Sequence, residues 1–177
     1  MKVINILAEC YGDTLLTKQL KYEYHAYHSG IGEVANQMRK YYKNRRAIAI
    51  IDDDKQSKPT YFTEECSQID KKNGLTLMKH KVEDHYVIKI SPALEDFIYS
   101  ASRSCNLPPF DSDKKNFRNT LKNDKLHSNQ KFINHLNKIV QKNPPEIKTL
   151  KEFIAKAKAG VQIGDGIKET TKKGSRK

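Results

Sequence analysis

The fold is decided by residues 45–55, which read RRAIAIIDDDK: two cations, five apolar residues and then the carboxylates of Asp52, Asp53 and Asp54. An unbroken run rich in Ile and Ala, without alternation of apolar and polar residues, is typical of a strand that is covered on both faces. The carboxyl end of such a strand is an edge of the sheet, and in open α/β sheets ligands bind outside that edge. The aspartates therefore lie where a binding site is expected.

A second acid ends the comparable apolar run upstream, because Glu9 follows the strand predicted at residues 2–8. Acids at the carboxyl ends of two parallel strands can meet around one metal ion. Residues 11–14 supply helix-capping side chains before an apolar helix face at Leu15 and Leu20. This order predicts an α/β fold with a mostly parallel central sheet flanked by helices.

Later segments continue the alternation of helices and strands. Apolar residues at helical spacing predict a helix over residues 31–42. Helix-start signals at residues 57–60 predict a third helix that runs to the stop at Asn73-Gly74. The strand-like runs at 75–80 and 85–90 are separated by four residues, which cannot hold a crossover helix, so they form an antiparallel pair or one bent strand.

The positive charge is concentrated in the C-terminal part of the chain. Residues 1–110 carry 16 Lys and Arg against 14 Asp and Glu, whereas residues 111–177 carry 17 against 7. We expect a catalytic domain at 1–105, a basic helical extension packed on it at 106–163 and a disordered basic tail at 164–177. This asymmetry indicates a polyanion held by the basic part, although a solvated Lys-rich helix would give the same composition.

Cysteine usage and hydropathy narrow the class of protein. The three cysteines are far apart and have no CxxC spacing, which indicates neither a disulfide framework nor a zinc ribbon and favours a reducing cytoplasm. The N-terminus lacks the apolar core of a signal peptide, and no stretch approaches about 20 apolar residues. We therefore expect a cytoplasmic protein that neither is secreted nor spans a membrane.

About the first 100 residues resemble a Toprim domain, the catalytic module shared by topoisomerases, bacterial primases and several nucleases. The resemblance rests on Glu9 with Gly12-Asp13 just behind it, and on the aspartates that end the later strand, which match the family's glutamate followed by an Asp-x-Asp pair. It implies that Glu9, Asp52 and Asp54 are the catalytic residues and hold Mg²⁺ or Mn²⁺. Asp53 occupies the variable middle position and is a further candidate metal ligand.

Residues 91–98, SPALEDFI, resemble the acidic segment that follows the Toprim core in nucleases of the overcoming-lysogenization-defect type and in related small defence proteins. The resemblance makes Glu95 another candidate metal ligand. A Pro-x-x-Glu pattern is also common at ordinary helix N-termini, where the helix dipole favours acids. Both a metal-binding and a structural role of Glu95 stay open.

The length of the chain restricts which Toprim activity the resemblance implies. A chain of 177 residues has no room for the strand gate of a topoisomerase or the added modules of a primase, which leaves a small nuclease that cleaves DNA or RNA. The resemblance permits, but does not establish, an effector of an anti-phage defence system with an activating ATPase as partner. A homodimer is a candidate assembly, and the oligomeric state stays open. It does not distinguish DNA from RNA.

Carboxylates are the side chains that a magnesium-dependent nuclease requires. Magnesium prefers hard oxygen ligands and keeps several waters, so convergent carboxylates hold it while a substrate phosphate completes its shell. Glu9 is either a ligand or a general acid or base beside the scissile phosphate. The cations expected to contact nucleic acid are Arg45, Arg46, Lys55, Lys114, Lys115, Arg118 and Lys122.

Two other classes of function remain open. A receiver-like phosphoacceptor domain also gathers acids at strand ends near a lysine, for which Lys89 before Ser91-Pro92 is a candidate, although Glu9 is followed by Cys10 rather than by a second acid. The other class is a non-catalytic nucleic-acid-binding protein in which the acids bind a structural ion or cap a helix. Phosphate-donor labelling and metal-dependent cleavage distinguish these classes.

Overall fold

A computed structural model describes residues 5–26, 30–53 and 59–161, without the side chains of residues 24–26 and of Asp124. Several predictions from the sequence lie outside these residues. They concern the start of the first strand, the predicted ligand Asp54, the cation Lys55, part of the helix-start signals at residues 57–60, and the C-terminal tail.

Six strands and seven α-helices make up the described part of the chain. They are β1 (Asn5–Ala8), α1 (Tyr11–Gln19), β2 (Tyr24–Ala26), α2 (Ile31–Tyr41), β3 (Ala47–Asp52), α3 (Thr60–Thr63), β4 (Cys66–Lys72), β5 (Leu75–His80), β6 (His85–Ile90), α4 (Leu94–Ser104), α5 (Lys114–Leu121), α6 (Gln130–Lys142) and α7 (Pro145–Ala159). A 3-10 helix, Asp124–Ser128, connects α5 and α6.

The strands form one mixed sheet in the order β2-β1-β3-β6-β5-β4. Strands β2, β1, β3 and β6 are parallel, whereas β5 is antiparallel to both β6 and β4. The prediction of an α/β fold with a mostly parallel centre is therefore confirmed, and residues 75–80 and 85–90 are an antiparallel pair. The three strands that matter for the site, β1, β3 and β6, are neighbours.

Helices cover both faces of the sheet, as the apolar sequence of β3 requires. Ile48 and Ile50 pack in one apolar core with α1, α4, α5, α6 and α7. Ala47, Ala49 and Ile51 face the opposite core, which includes residues of α2 and α3. All five residues are 0% exposed. A strand buried on both faces needs no alternation of apolar and polar residues, which explains the sequence of this segment.

The helices that follow residue 106 belong to the same core as the sheet. Phe132 in α6 and Phe153 in α7 are both fully buried, and they lie in one cluster with Ile6 of β1 and Ile88 of β6. The basic residues of these helices lie mostly on the outer face. In the described part of the chain, the region after 106 thus completes one layer of the α/β fold, and its packing shows no separate core.

The predicted third helix is wrong over most of its length. Only Thr60–Thr63 is helical, and Cys66–Lys72 forms the edge strand β4. The helical spacing of Phe62, Cys66 and Ile69 arises by chance, because Cys66 and Ile69 belong to a strand paired with β5. The informative signal is Asn73-Gly74, where both φ angles are positive, 48° and 75°. This combination is the two-residue hairpin turn that joins antiparallel strands.

Strand β2 was not predicted from the sequence. Its three residues pair in parallel with β1 at the other edge of the sheet, with His25 opposite Leu7. A segment this short carries too little pattern for a strand to be recognised. Its effect is to place β1 inside the sheet, so that the segment leading to Glu9 is hydrogen-bonded on both sides.

No helix within residues 5–26, 30–53 and 59–161 has both the length and the apolar character needed to cross a membrane.

We predict that the chain from residue 5 to residue 161 unfolds as one cooperative unit. Replacing Phe153 with Ala removes a ring buried between α7 and the sheet and should lower the free energy of unfolding by about 3–5 kcal/mol. Lys148→Ala, at an exposed position of the same helix, should change it by less than about 0.5 kcal/mol. Urea unfolding followed by circular dichroism measures both. Two separate transitions, of which Phe153→Ala moves only one, would contradict a single core.

Candidate active site

The carboxyl ends of β1 and β3 bring two of the predicted acids together. The strands are in register, with Ala8 opposite Ile50, so Glu9 and Asp52 emerge side by side at the same edge of the sheet. The backbone N–H of Glu9 donates to the carbonyl of Ile50 at 3.3 Å. In return, Glu9 Oε2 accepts a hydrogen bond from the backbone N–H of Asp52 at 3.1 Å. Both side chains are half-buried.

A third acid, Asp13, lies beside this pair and was not among the predicted site residues. Helix α1 begins directly after Glu9 with Cys10 as its N-cap, and Asp13 occupies the third helical position. Asp13 Oδ2 accepts from the backbone N–H of Cys10 at 3.2 Å. The Oδ1 atom of Asp13 is buried and has no hydrogen-bond partner among the described residues. The available signal was an aspartate four residues after Glu9 within an apolar segment.

The environment of Asp13 changes its ionisation. The side chain is 0% exposed. Burial raises the pKa of this carboxyl to about 7, and the negative charge of Glu9 adds to the increase while hydrogen bonds from Cys10 oppose it. Burial likewise raises the pKa of the Cys10 thiol well above its ordinary value, so this thiol is protonated at neutral pH. Near pH 7, the site therefore contains a carboxyl group that can hold or release a proton next to Glu9.

Gly12 brings two more helices to this edge of the sheet. A Cβ atom at residue 12 would lie 2.5 Å from Leu94 Cδ2 and 3.3 Å from Leu121 Cδ2. The N-terminus of α1 thus lies against the start of α4 and the end of α5. This close approach explains the glycine behind Glu9 and places the basic helix α5 beside the acids.

Asp53, a predicted candidate metal ligand, makes its contacts with residues at the end of β6. Its Oδ2 accepts from Ser91 Oγ at 2.7 Å, and its Oδ1 lies 3.3 Å from Lys89 Nζ. The backbone N–H of Asp53 also donates to the carbonyl of Ile90 at 2.7 Å. Because both carboxylate oxygens are held by residues at the end of β6, Asp53 ties the tips of β3 and β6 together.

Glu95 is likewise bound by a protein cation. It is buried in the first turn of α4 and forms a close ion pair with Arg118 of α5. Next to it, Lys114 Nζ lies 2.5 Å from Asp96 Oδ1. The two ion pairs fasten α5 to the start of α4. The contacts of Glu95 are those of the structural role, and Lys114 and Arg118, predicted as nucleic-acid contacts, both take part in these ion pairs.

Arg45 and Arg46 lie at the wrong edge of the sheet for a contact near these acids. Both precede β3, so they are at its amino end, whereas Asp52 is at its carboxyl end. Arg46 Nε donates to Asp84 Oδ2 at 2.8 Å, and Arg46 Nη1 donates to the carbonyl of Lys158 at 2.6 Å. The two arginines and Asp52 are close in the sequence, but the extended strand β3 separates them in space.

The two remaining predicted cations that the structure describes, Lys115 and Lys122, are exposed at the two ends of α5. This helix contacts Gly12 through Leu121, and both lysines stay predicted contacts for nucleic acid.

Carboxylate pairs of this kind suit a magnesium ion. Mg²⁺ is commonly bound through one or two carboxylates, with water and substrate phosphate as its other ligands. Glu9 and Asp52 provide such a pair. Within the described ranges, no group of three or more His, Cys, Asp or Glu side chains could hold a metal ion by itself, and Asp54, the third predicted ligand, lies outside those ranges. The donor chemistry of the described residues thus fits two protein ligands.

We predict that Asp13 makes the stability of the protein depend on pH in an unusual direction. The unfolded carboxyl ionises near about pH 3.9, whereas the folded one keeps its proton up to about pH 7. The free energy of unfolding therefore decreases as the pH rises from about 4 to 7, by at most on the order of 4 kcal/mol. Asp13→Asn, which keeps an acceptor for the Cys10 N–H, should remove this loss.

Urea unfolding of both proteins in EDTA at a series of pH values measures the effect. The stability difference between Asp13→Asn and the wild type should grow up to about pH 7 and then level off. Glu64→Gln, which changes an exposed acid at the end of α3, is the matched control. Parallel stability curves for Asp13→Asn and the wild type between pH 4 and pH 8 would contradict the raised pKa.

Comparison of the chain with models of protein families, with curated proteins and with solved structures found no match.

Proposed function

We propose that the protein is a Mg²⁺-dependent nuclease of the Toprim type that cleaves phosphodiester bonds in DNA or RNA. The observation that supports this proposal best is the contact of Glu9 with Asp52 at the carboxyl ends of two adjacent parallel strands, at 3.1 Å from Glu9 Oε2 to the Asp52 nitrogen. This arrangement matches the order of acids on which the Toprim resemblance rests. If Glu9 and Asp52 lay at opposite edges of the sheet, they could not bind the same ion.

Glu9 and Asp52 would hold the ion, together with Asp54 as implied by the sequence pattern. When bound, Mg²⁺ (or Mn²⁺) neutralises charge on the scissile phosphate and lowers the pKa of a bound water. The protein orients its ligands through backbone hydrogen bonds, because the Asp52 N–H fixes one oxygen of Glu9. Asp53 acts one step further away, since its contacts with Lys89 and Ser91 hold the end of β3 in place.

Asp13 has a supporting role in the proposed site. It is completely buried, so it does not reach a substrate. Its carboxyl can take up or give off a proton near pH 7, because burial and the charge of Glu9 raise its pKa to about 7. A neutral Asp13 limits the repulsion among the clustered acids, and its ionisation would strengthen the negative field that attracts a cation.

Helix α5 would contribute to holding the polyanionic substrate. It presents Lys115 and Lys122 to solvent, and phosphate contacts of this type supply most of the sequence-independent affinity for nucleic acids. As the Toprim resemblance permits, we further propose that the protein serves as the effector of an anti-phage defence system, as a homodimer and with an activating ATPase as partner.

One observation favours a receiver-like phosphoacceptor domain as a second candidate. Lys89 Nζ lies 3.3 Å from Asp53 Oδ1 at the ends of β6 and β3, and a lysine beside a strand-end aspartate is what such a domain would require. In this case, incubation with acetyl phosphate would phosphorylate Asp53 and Asp53→Asn would prevent it. Under the nuclease proposal, mass spectrometry should detect no phosphorylated aspartate.

The decisive experiment is a cleavage assay with purified protein and mixed DNA and RNA substrates. We expect cleavage with Mg²⁺ or Mn²⁺ and none with EDTA. Asp52→Asn and Glu9→Gln keep the size of each side chain but remove its charge, and each should lower the rate by at least about 100-fold, since even outer-shell changes at metal sites cost about 10–100-fold. Gel electrophoresis of labelled substrates measures the rates.

Matched controls separate loss of chemistry from loss of structure. Glu64→Gln removes an exposed carboxylate at the end of α3 and should leave cleavage unchanged. All variants should show wild-type circular dichroism. Near-normal cleavage by Asp52→Asn would exclude the proposed site, and absence of cleavage by the wild type with every substrate and both metals would favour a non-catalytic nucleic-acid-binding protein.

A further inference from the structure

A polar groove follows one face of α4, outside the acidic site. Its helical wall includes Asp96, Tyr99 and Arg103, which are spaced at i, i+3 and i+7, and its opposite wall includes Ser112 and Lys114. The groove has a volume of about 490 Å³. Cavities that hold one small molecule have about 300–1,000 Å³, so the groove can hold a group of nucleotide size.

One end of the groove lies at the start of α4, the helix that follows the carboxyl end of β6. Leu94, the first residue of α4, contacts Gly12 of α1 three residues after Glu9. Asp96 and Lys114 follow at this end of the groove. Because an α-helix rises about 1.5 Å per residue, Arg103 lies about 10 Å further along the same face. The groove therefore runs about 10 Å along α4 from the edge of the sheet at which β6 ends.

The charges in the groove favour an anion. Asp96 is its single lining acid among the described residues, and this carboxylate is already neutralised by Lys114 at 2.5 Å. Lys114 remains 65% exposed. Arg103 is exposed and forms no ion pair with any residue of the described ranges. The guanidinium can therefore bind a phosphate without first breaking a contact inside the protein.

The remaining lining groups suit a nucleotide with little selectivity for its base. Tyr99 is half-buried, and its hydroxyl donates to the carbonyl of Asp111, which holds the opposite wall in place. Lys114 Nζ lies 5.7 Å from the centre of the Tyr99 ring. Aromatic faces of this kind accept any base, whereas Ser112 offers a hydroxyl to phosphate or sugar oxygens.

We propose that this groove binds one nucleotide unit of a single-stranded nucleic acid, with Arg103 as its phosphate contact. The proposal rests on the proposed nuclease function for the choice of a nucleic acid as the ligand. A single strand is favoured over a duplex because the groove has room for one nucleotide and not for a stack of base pairs.

The test measures binding in EDTA, where cleavage cannot occur, by the fluorescence anisotropy of a labelled 15-nucleotide oligothymidylate. Arg103→Gln should weaken binding by about 10-fold and flatten the dependence of log Kd on log salt by about 0.7. Arg103→Lys should retain most of the affinity. The matched control is Lys43→Gln, which removes the same charge from an exposed residue between α2 and the amino end of β3 and should change Kd by less than about 2-fold.

Three results would overturn the proposal: equal losses for Arg103→Gln and Lys43→Gln, tighter binding of a duplex of the same length, or an Arg103 effect on free dTMP with no effect on the oligonucleotide. The cleavage assay with Mg²⁺ separates this proposal from the proposed function. Binding that depends on Arg103 in a protein that cleaves nothing would overturn the nuclease and support the groove. Cleavage combined with unchanged binding by Arg103→Gln would overturn the groove alone.

Discussion

The burial of β3 on both faces is the constraint on which the rest of the structure depends. Five consecutive apolar residues with no exposure leave this strand only a central position, hydrogen-bonded between β1 and β6. All three strands are parallel, so their carboxyl ends lie at one edge. The register then places Glu9 beside Asp52. A shift by one residue would turn every side chain of β3 to the opposite face, so the packing of two apolar cores also determines where the acids lie.

The second theme is how the protein accommodates many carboxylates at one edge. Asp53, Glu95 and Asp96 are each matched with a cation, which is Lys89, Arg118 or Lys114. Asp13 is accommodated differently, because its burial and the neighbouring charge of Glu9 favour a bound proton. The side chain of Glu9 accepts a hydrogen bond from the backbone N–H of Asp52. The acids at this edge thus form three groups. Asp53, Glu95 and Asp96 fasten elements together, Asp13 is neutralised by a proton, and Glu9 and Asp52 are the pair that we propose as ligands of a metal ion.

Part of this arrangement follows from local patterns. The strand at 47–51 and the helix at 31–42 were predicted from strong periodicity. The short connection between residues 75–80 and 85–90 left an antiparallel pair or one bent strand, and the structure has the antiparallel pair. The predicted third helix failed, since its apolar spacing fits a helix by chance and pairing with β5 outweighs local preference in β4. The Asn73-Gly74 turn carried the correct signal. Among the candidate site residues, Glu9 and Asp52 meet because strand order and register are themselves consequences of hydrophobic pattern.

The sequence by itself determined the class of fold, the buried central strand and the position of acids at strand ends, because apolar periodicity and chain order express these features locally. Only the tertiary structure decided which charges neutralise one another. Glu95 binds Arg118, 23 residues away, and Arg46 binds the carbonyl of Lys158, 112 residues away. It also revealed Asp13 as a buried acid and separated Arg45 and Arg46 from the site. The physical reason is that ion pairing and burial depend on which elements meet in space, whereas a sequence specifies only which charges exist.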